Sequence, residues 1–149
     1  MIIWRLGVVV LIVLGTMACG LPRWPVHGPL SSAFGLRVLL RSPDIHRGVD
    51  FGVPTATEVR AMDGARVRFA GVMDGFGNVI WLDHGRSTLT VYAHLSEIRV
   101  QEGESVTGGQ VIGLSGASGN VTAPHLHFEI WRWGREVDPV PLLGGRPTI

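Results

Sequence analysis

Short apolar runs broken by glycine-bearing turns dominate the chain from residue 65 onward, and no stretch after the N-terminal segment has a helical period. The runs Ala65–Ala70, Val79–Asp83, Thr88–His94, Val111–Leu114 and His125–Trp131 are rich in Val, Ile, Phe and Trp. Segments of that length and composition, closed off by turns, read as β-strands. With 21 glycines in 149 residues, the pattern predicts an all-β, sandwich- or barrel-like single domain of short antiparallel strands. The length suits one domain with a core of its own. Residues 20–29, with prolines at 22, 25 and 29, read as an extended lead-in, and residues 144–149 as a tail.

Residues 1–19 differ from the rest. Arg5 is followed by the apolar run Leu6–Leu14 and then by small residues up to Ala18-Cys19. This is the order of a secretory signal, and its length also approaches that of an uncleaved membrane anchor. Cys19, the only cysteine, stands where lipoprotein signals place their lipidated residue, although Thr16 departs from that pattern. A single cysteine rules out an intramolecular disulfide. The segment therefore predicts export from the cytosol, with Cys19 or an uncleaved anchor as a candidate for membrane attachment. All 13 basic residues are arginine, and without Arg5 there are 12 against 12 acidic residues. No basic stripe points to nucleic acid.

Two clusters carry candidate chemistry. In Pro124-His125-Leu126-His127-Phe128-Glu129-Ile130, strand alternation puts His125, His127 and Glu129 on one face and Leu126, Phe128 and Ile130 toward a core. Upstream, His46-Arg47-Gly48-Val49-Asp50 adds another imidazole and a carboxylate. A working zinc site takes three such ligands and leaves its fourth position to water. Gly48 and the following Gly52-Val53-Pro54 speak against a helix, so a turn entering a strand is expected. By alternation, Tyr92 and His94 share a polar face at a strand end. Each cluster alone also has a plain structural reading, as turn residues or satisfied histidines. His84 reads as structural and His27 as solvent-facing.

Assembled, these residues closely resemble the lysostaphin-type, or LytM-domain, zinc metallopeptidases that cut peptide cross-links of bacterial peptidoglycan. The resemblance rests on His46-x-x-x-Asp50, Tyr92-Ala93-His94-Leu95 and Pro124-His125-Leu126-His127-Phe128-Glu129. Supporting stretches are Trp24-Pro25-Val26, Ser32-Ala33-Phe34-Gly35-Leu36-Arg37, Gly75-Phe76-Gly77-Asn78 and Gly103–Gly113, so the match runs over residues 24–143. It implies a LytM-like fold of the duplicated hybrid motif type. It also implies one Zn2+ per chain held by His46, Asp50 and His127, with His94 and His125 as catalytic neighbours, one a proton carrier and the other an oxyanion donor. The implied partners are peptidoglycan peptide stems and cross-links.

Rival readings meet specific obstacles. Biotinyl and lipoyl carriers attach their group to lysine, and the chain has none. Phosphotransfer domains work in the cytosol and have no use for Asp50 as a hard ligand. The D-alanyl dipeptidases set their third ligand in a different motif. A non-catalytic module that binds or activates other cell-wall hydrolases is the alternative from another class.

Overall fold

The computed structural model describes residues 22–39 and 42–147. The expected signal segment at residues 1–19, with Cys19, lies outside them. Among the described residues the strands are β1 (Leu30–Ser32), β2 (Gly35–Leu39), β3 (Ser42–His46), β4 (Val49–Phe51), β5 (Glu58–Arg60) and β6 (Ala65–Met73). They continue with β7 (Gly77–Asp83), β8 (Thr88–Ile98), β9 (Ser105–Val106), β10 (Val111–Ser115), β11 (Leu126–Arg132) and β12 (Arg135–Val137). The all-β expectation is met. All five expected runs are strands, with β6, β7, β8 and β10 longer than the runs that announced them. One short helix, α1 (Pro139–Leu142), escapes the sequence reading because a single turn has no periodicity; Asp138 caps it by accepting from the Val140 N–H.

Pairing is antiparallel throughout. The main sheet runs β1-β4-β11-β8-β7-β6-β9, with β12 on β11 and with β10 joining β8 to β5. Strands β2 and β3 form a separate hairpin. Burial follows from the period-2 alternation of β11: Leu126, Phe128 and Ile130 enter the main core with Val49, Phe51, Tyr92 and Leu95. The lead-in also packs. Pro25 and Val26 are buried and Trp24 meets Phe51 edge-on at 5.5 Å.

Strand β8 departs from simple alternation at His94. Tyr92 and Leu95 lie in the main core, whereas Ala93 packs with Val79 and Val91 on the opposite face. His94 has φ +62°, a left-handed backbone that is uncommon outside glycine. Three residues of β7, Asn78 to Ile80, are spanned by four of β8, Leu95 to Tyr92. An extra residue on one strand is a β-bulge, which re-aims a side chain. This corrects the expectation that Tyr92 and His94 share a polar face. Tyr92 is fully buried, its hydroxyl accepting from the Met62 N–H at 3.0 Å and lying 3.1 Å from the Thr90 hydroxyl.

Candidate metal centre

Register brings the two histidine clusters together. Across β4 and β11, His127 pairs with Asp50, and across β11 and β8 it pairs with Ala93. Cross-strand partners point to the same face, so Asp50 and His127 meet. His46, the last residue of β3, completes the group from the hairpin. Its Nε2 lies 3.1 Å from both Asp50 Oδ1 and His127 Nδ1, and those two atoms are 2.8 Å apart. All three residues are at most 8% exposed.

The outer nitrogen of each imidazole is already engaged. His46 Nδ1 lies 2.7 Å from the Ala33 carbonyl and His127 Nε2 lies 2.9 Å from Glu129 Oε1. Neither oxygen can donate, so each ring places an N–H outward, and with a metal ion bound its other nitrogen would give a lone pair to the shared point. That is the arrangement that orients histidines toward a metal ion. The second Asp50 oxygen is 3.5 Å from Arg37 Nη1, and Arg37 is held in turn by Asp44 at 2.9 Å. Burial alone would raise the Asp50 carboxyl, but hydrogen bonds from His127 and His46 outweigh it and hold the group well below the ordinary carboxylate range. Burial would likewise lower His127, yet the Asp50 and Glu129 carboxylates on either side push it up to about 9.

His94 and His125 stand beside this group, with ring centroids 4.7 Å apart. His94 Nδ1 is 3.0 Å from the Ser118 carbonyl and His125 Nδ1 is 2.9 Å from the Ala123 carbonyl. Both Nε2 atoms are thereby left with a lone pair. His125 Nε2 lies 3.8 Å from Asp50 Oδ1, and the His94 ring is 5.9 Å from that of His127. Burial, with the neighbouring imidazoles, draws His94 down to about 4 despite its bond to Ser118. It is neutral at pH 7.

The segment that fixes His94 is stitched to the β6–β7 turn. The Ser118 hydroxyl accepts from the Asn78 N–H at 2.9 Å and donates to the Leu95 carbonyl at 2.7 Å; the Asn120 N–H donates to the Gly75 carbonyl at 3.0 Å. A Cβ on Gly119, at φ +80°, would lie 2.5 Å from the Gly77 nitrogen, so glycine is required for this backbone contact. A hollow of about 470 Å³ runs along this junction, lined by Asp74, Gly75, Asn78, Ser118 and Asn120.

All five residues singled out from the sequence thus gather in one place, with His46, Asp50 and His127 at its centre and His94 and His125 at its rim. His84 and His27 stay outside: His84 bonds Gly64 and Thr90, and His27 is exposed. The sequence reading missed Glu129 as the partner of His127, although its place two residues on along the same strand face was a signal. Ser118 gave no signal, since its contribution comes from a loop whose path depends on the fold.

Fold and donor set together define a metallopeptidase class of protein. Residues 44–139 match peptidase family M23, and the chain belongs to that family. The DD-carboxypeptidase/endopeptidase Mpg of Neisseria meningitidis serogroup B is 40% identical over 126 residues, covering 83% of this chain and 29% of its own length. Murein hydrolase activator EnvC of Escherichia coli K12 is 36% identical over 133 residues, covering 87% of this chain and 31% of its own. The chain therefore spans under a third of the length of these two relatives. Among solved structures, the catalytic domain of lysostaphin from Staphylococcus simulans superposes with a TM-score of 0.72 at 34% identity, covering 78% of this chain and 92% of that domain. A zinc-containing peptidase from Vibrio cholerae superposes with a TM-score of 0.77 at 29% identity, covering 87% of this chain and 41% of that one.

Proposed function

We propose that this protein is a zinc-dependent endopeptidase that hydrolyses peptide cross-links of bacterial peptidoglycan in the cell envelope. The observation that carries the reading is the triangle of His46 Nε2, Asp50 Oδ1 and His127 Nδ1, with sides of 3.1, 3.1 and 2.8 Å. Two imidazole nitrogens and one carboxylate oxygen are the donor set of a catalytic zinc site. Bound there, zinc would supply Lewis acidity to a water molecule and to the scissile carbonyl. The chain's own residues do the rest. His94 and His125, each with Nδ1 committed to a backbone carbonyl, present Nε2 to the reacting centre. One accepts the water's proton and returns it to the leaving amine, and the other, carrying a proton taken up beforehand from solvent, donates it in a hydrogen bond to the developing oxyanion and keeps it when the intermediate collapses. The hollow beside Ser118 would receive the peptide. Export to the envelope, with attachment through Cys19 or an N-terminal anchor, fits a substrate that lies outside the cytoplasm.

The alternative, a non-catalytic module that activates other wall hydrolases, has the 36% identity to EnvC on its side. The complete set of His46, Asp50, His94, His125 and His127 weighs against it. Purified full-length protein should hold close to one zinc and release shorter peptides from cross-linked muropeptides. Stoichiometric zinc with no cleavage, before and after chelation and metal restoration, would sink the enzyme reading and leave the activator. Asp50→Ala and His127→Ala should lose the metal. By contrast, His94→Ala and His125→Ala should keep it and lose about 10²- to 10⁴-fold in turnover.

A further inference from the structure

Glu129 is 2% exposed, and both of its carboxylate oxygens are occupied by donors from its own strand. Oε1 faces His127 Nε2 at 2.9 Å and Oε2 faces Trp131 Nε1 at 2.6 Å. The positions 127, 129 and 131 alternate onto one face of β11, so the stack is built by strand geometry. Indole nitrogen can only donate. Glu129 Oε1, a carboxylate oxygen, can only accept, so His127 faces it with its Nε2 proton. Glu129 must therefore accept twice, in two directions, away from water.

We infer that Glu129 is a positioning residue that fixes His127 in the tautomer with its lone pair on Nδ1, and that the Trp131 N–H is what makes a carboxylate obligatory there. Glutamine has the same shape but only one acceptor. If its oxygen faces His127, its NH2 meets the indole N–H, donor against donor. If it turns round to satisfy Trp131, its NH2 demands a lone pair on His127 Nε2 and drives the proton onto Nδ1, where a metal ion would have to bind. Without the indole N–H the conflict ends, because the amide can give its oxygen to His127. The inference rests on reading the His46–Asp50–His127 triangle as a metal site, and it goes further by tying metal affinity to a tryptophan outside that triangle.

The test is zinc affinity of the full-length protein, measured by competition with a chromophoric chelator, for wild type, E129Q, W131F and E129Q/W131F, with circular dichroism to check the fold. E129Q should lose about 10- to 100-fold in affinity. W131F should lose about threefold or less, because Glu129 Oε1 keeps its hold on His127, and the double variant should bind zinc more tightly than E129Q. A double variant that binds no more tightly than E129Q overturns the inference, as does an E129Q loss of less than about threefold. Long-range ¹H–¹⁵N correlation spectra of the zinc-loaded wild type supply a check that needs no variant: the His127 proton should be on Nε2, and finding it on Nδ1 refutes the tautomer assignment. Failure of the wild type to bind zinc at all would instead bring down the metal-centre reading beneath it, and this inference with it.

Discussion

Gly48 lies between His46 and Asp50 and has no side chain because there is no room for one. A Cβ placed there would sit 2.4 Å from the Phe128 carbonyl oxygen, 2.9 Å from Glu129 Cγ and 3.0 Å from His127 Cε1. The first contact is with backbone, which cannot rotate aside. Gly48→Ala must therefore part the β3–β4 turn from β11 by about 0.6 Å to reach even a tight contact, an overpacking distortion that costs roughly 1–3 kcal/mol. The direction of that displacement matters more than its energy. Asp50 lies on one side of the parting and His127 on the other, while metal–ligand distances tolerate only about ±0.2 Å. Gly48→Ala should thus lose about tenfold or more in zinc affinity in addition to its loss of stability. Urea unfolding of the metal-free protein measures the first effect, and chelator competition on the folded protein measures the second. A variant with wild-type zinc affinity and a midpoint shift worth less than about 0.5 kcal/mol would refute the claim that this turn is packed against the site.

Three further outcomes are expected. Gly119→Ala forces a left-handed alanine against the Gly77 backbone and should drop turnover by about 10²-fold through displacement of His94; bound zinc should be unchanged, and simultaneous loss of zinc would contradict the separation of rim from centre. Ser118→Ala strands the Asn78 N–H and should give a milder version of the same split between turnover and metal content. Tyr92 is the only tyrosine, and burial, eased slightly by its bonds to Thr90 and Met62, pushes its phenol up to about 12 from 10. Its contribution is complete below pH 10 and is lost as pH rises toward 12, because only the unfolded chain ionises in that window. Two pH units correspond to roughly 2–3 kcal/mol. Phenolate absorbance and unfolding curves from pH 9 to 12 check this: ionisation near pH 10 in the folded protein, or equal alkaline losses in Tyr92→Phe, would count against it.

The difference between Ala93 and His94 marks how far the sequence could be read. Alternation is a rule about unbroken strands, and it placed His127 and Glu129 opposite Leu126, Phe128 and Ile130 because β11 is unbroken there. Applied to β8, the same rule sent His94 to the side of Tyr92, which is the core. The inserted residue that reverses it leaves no local trace, since His94 takes its left-handed backbone without a glycine to announce it. Its support comes from elsewhere: the His94 N–H donates to the Phe76 carbonyl, and the ring is held by the Ser118 carbonyl. Backbone strain of this kind, of order 1–3 kcal/mol, persists only where surrounding contacts over-determine it. Chemistry and spacing therefore made the two clusters legible, and the family resemblance is what implied His46, Asp50 and His127 as a set, whereas the placement of His94 depends on two loops distant in sequence. A flat β8, with alternation restored by deleting the extra residue, would return position 94 to the core face and leave His125 facing the centre alone.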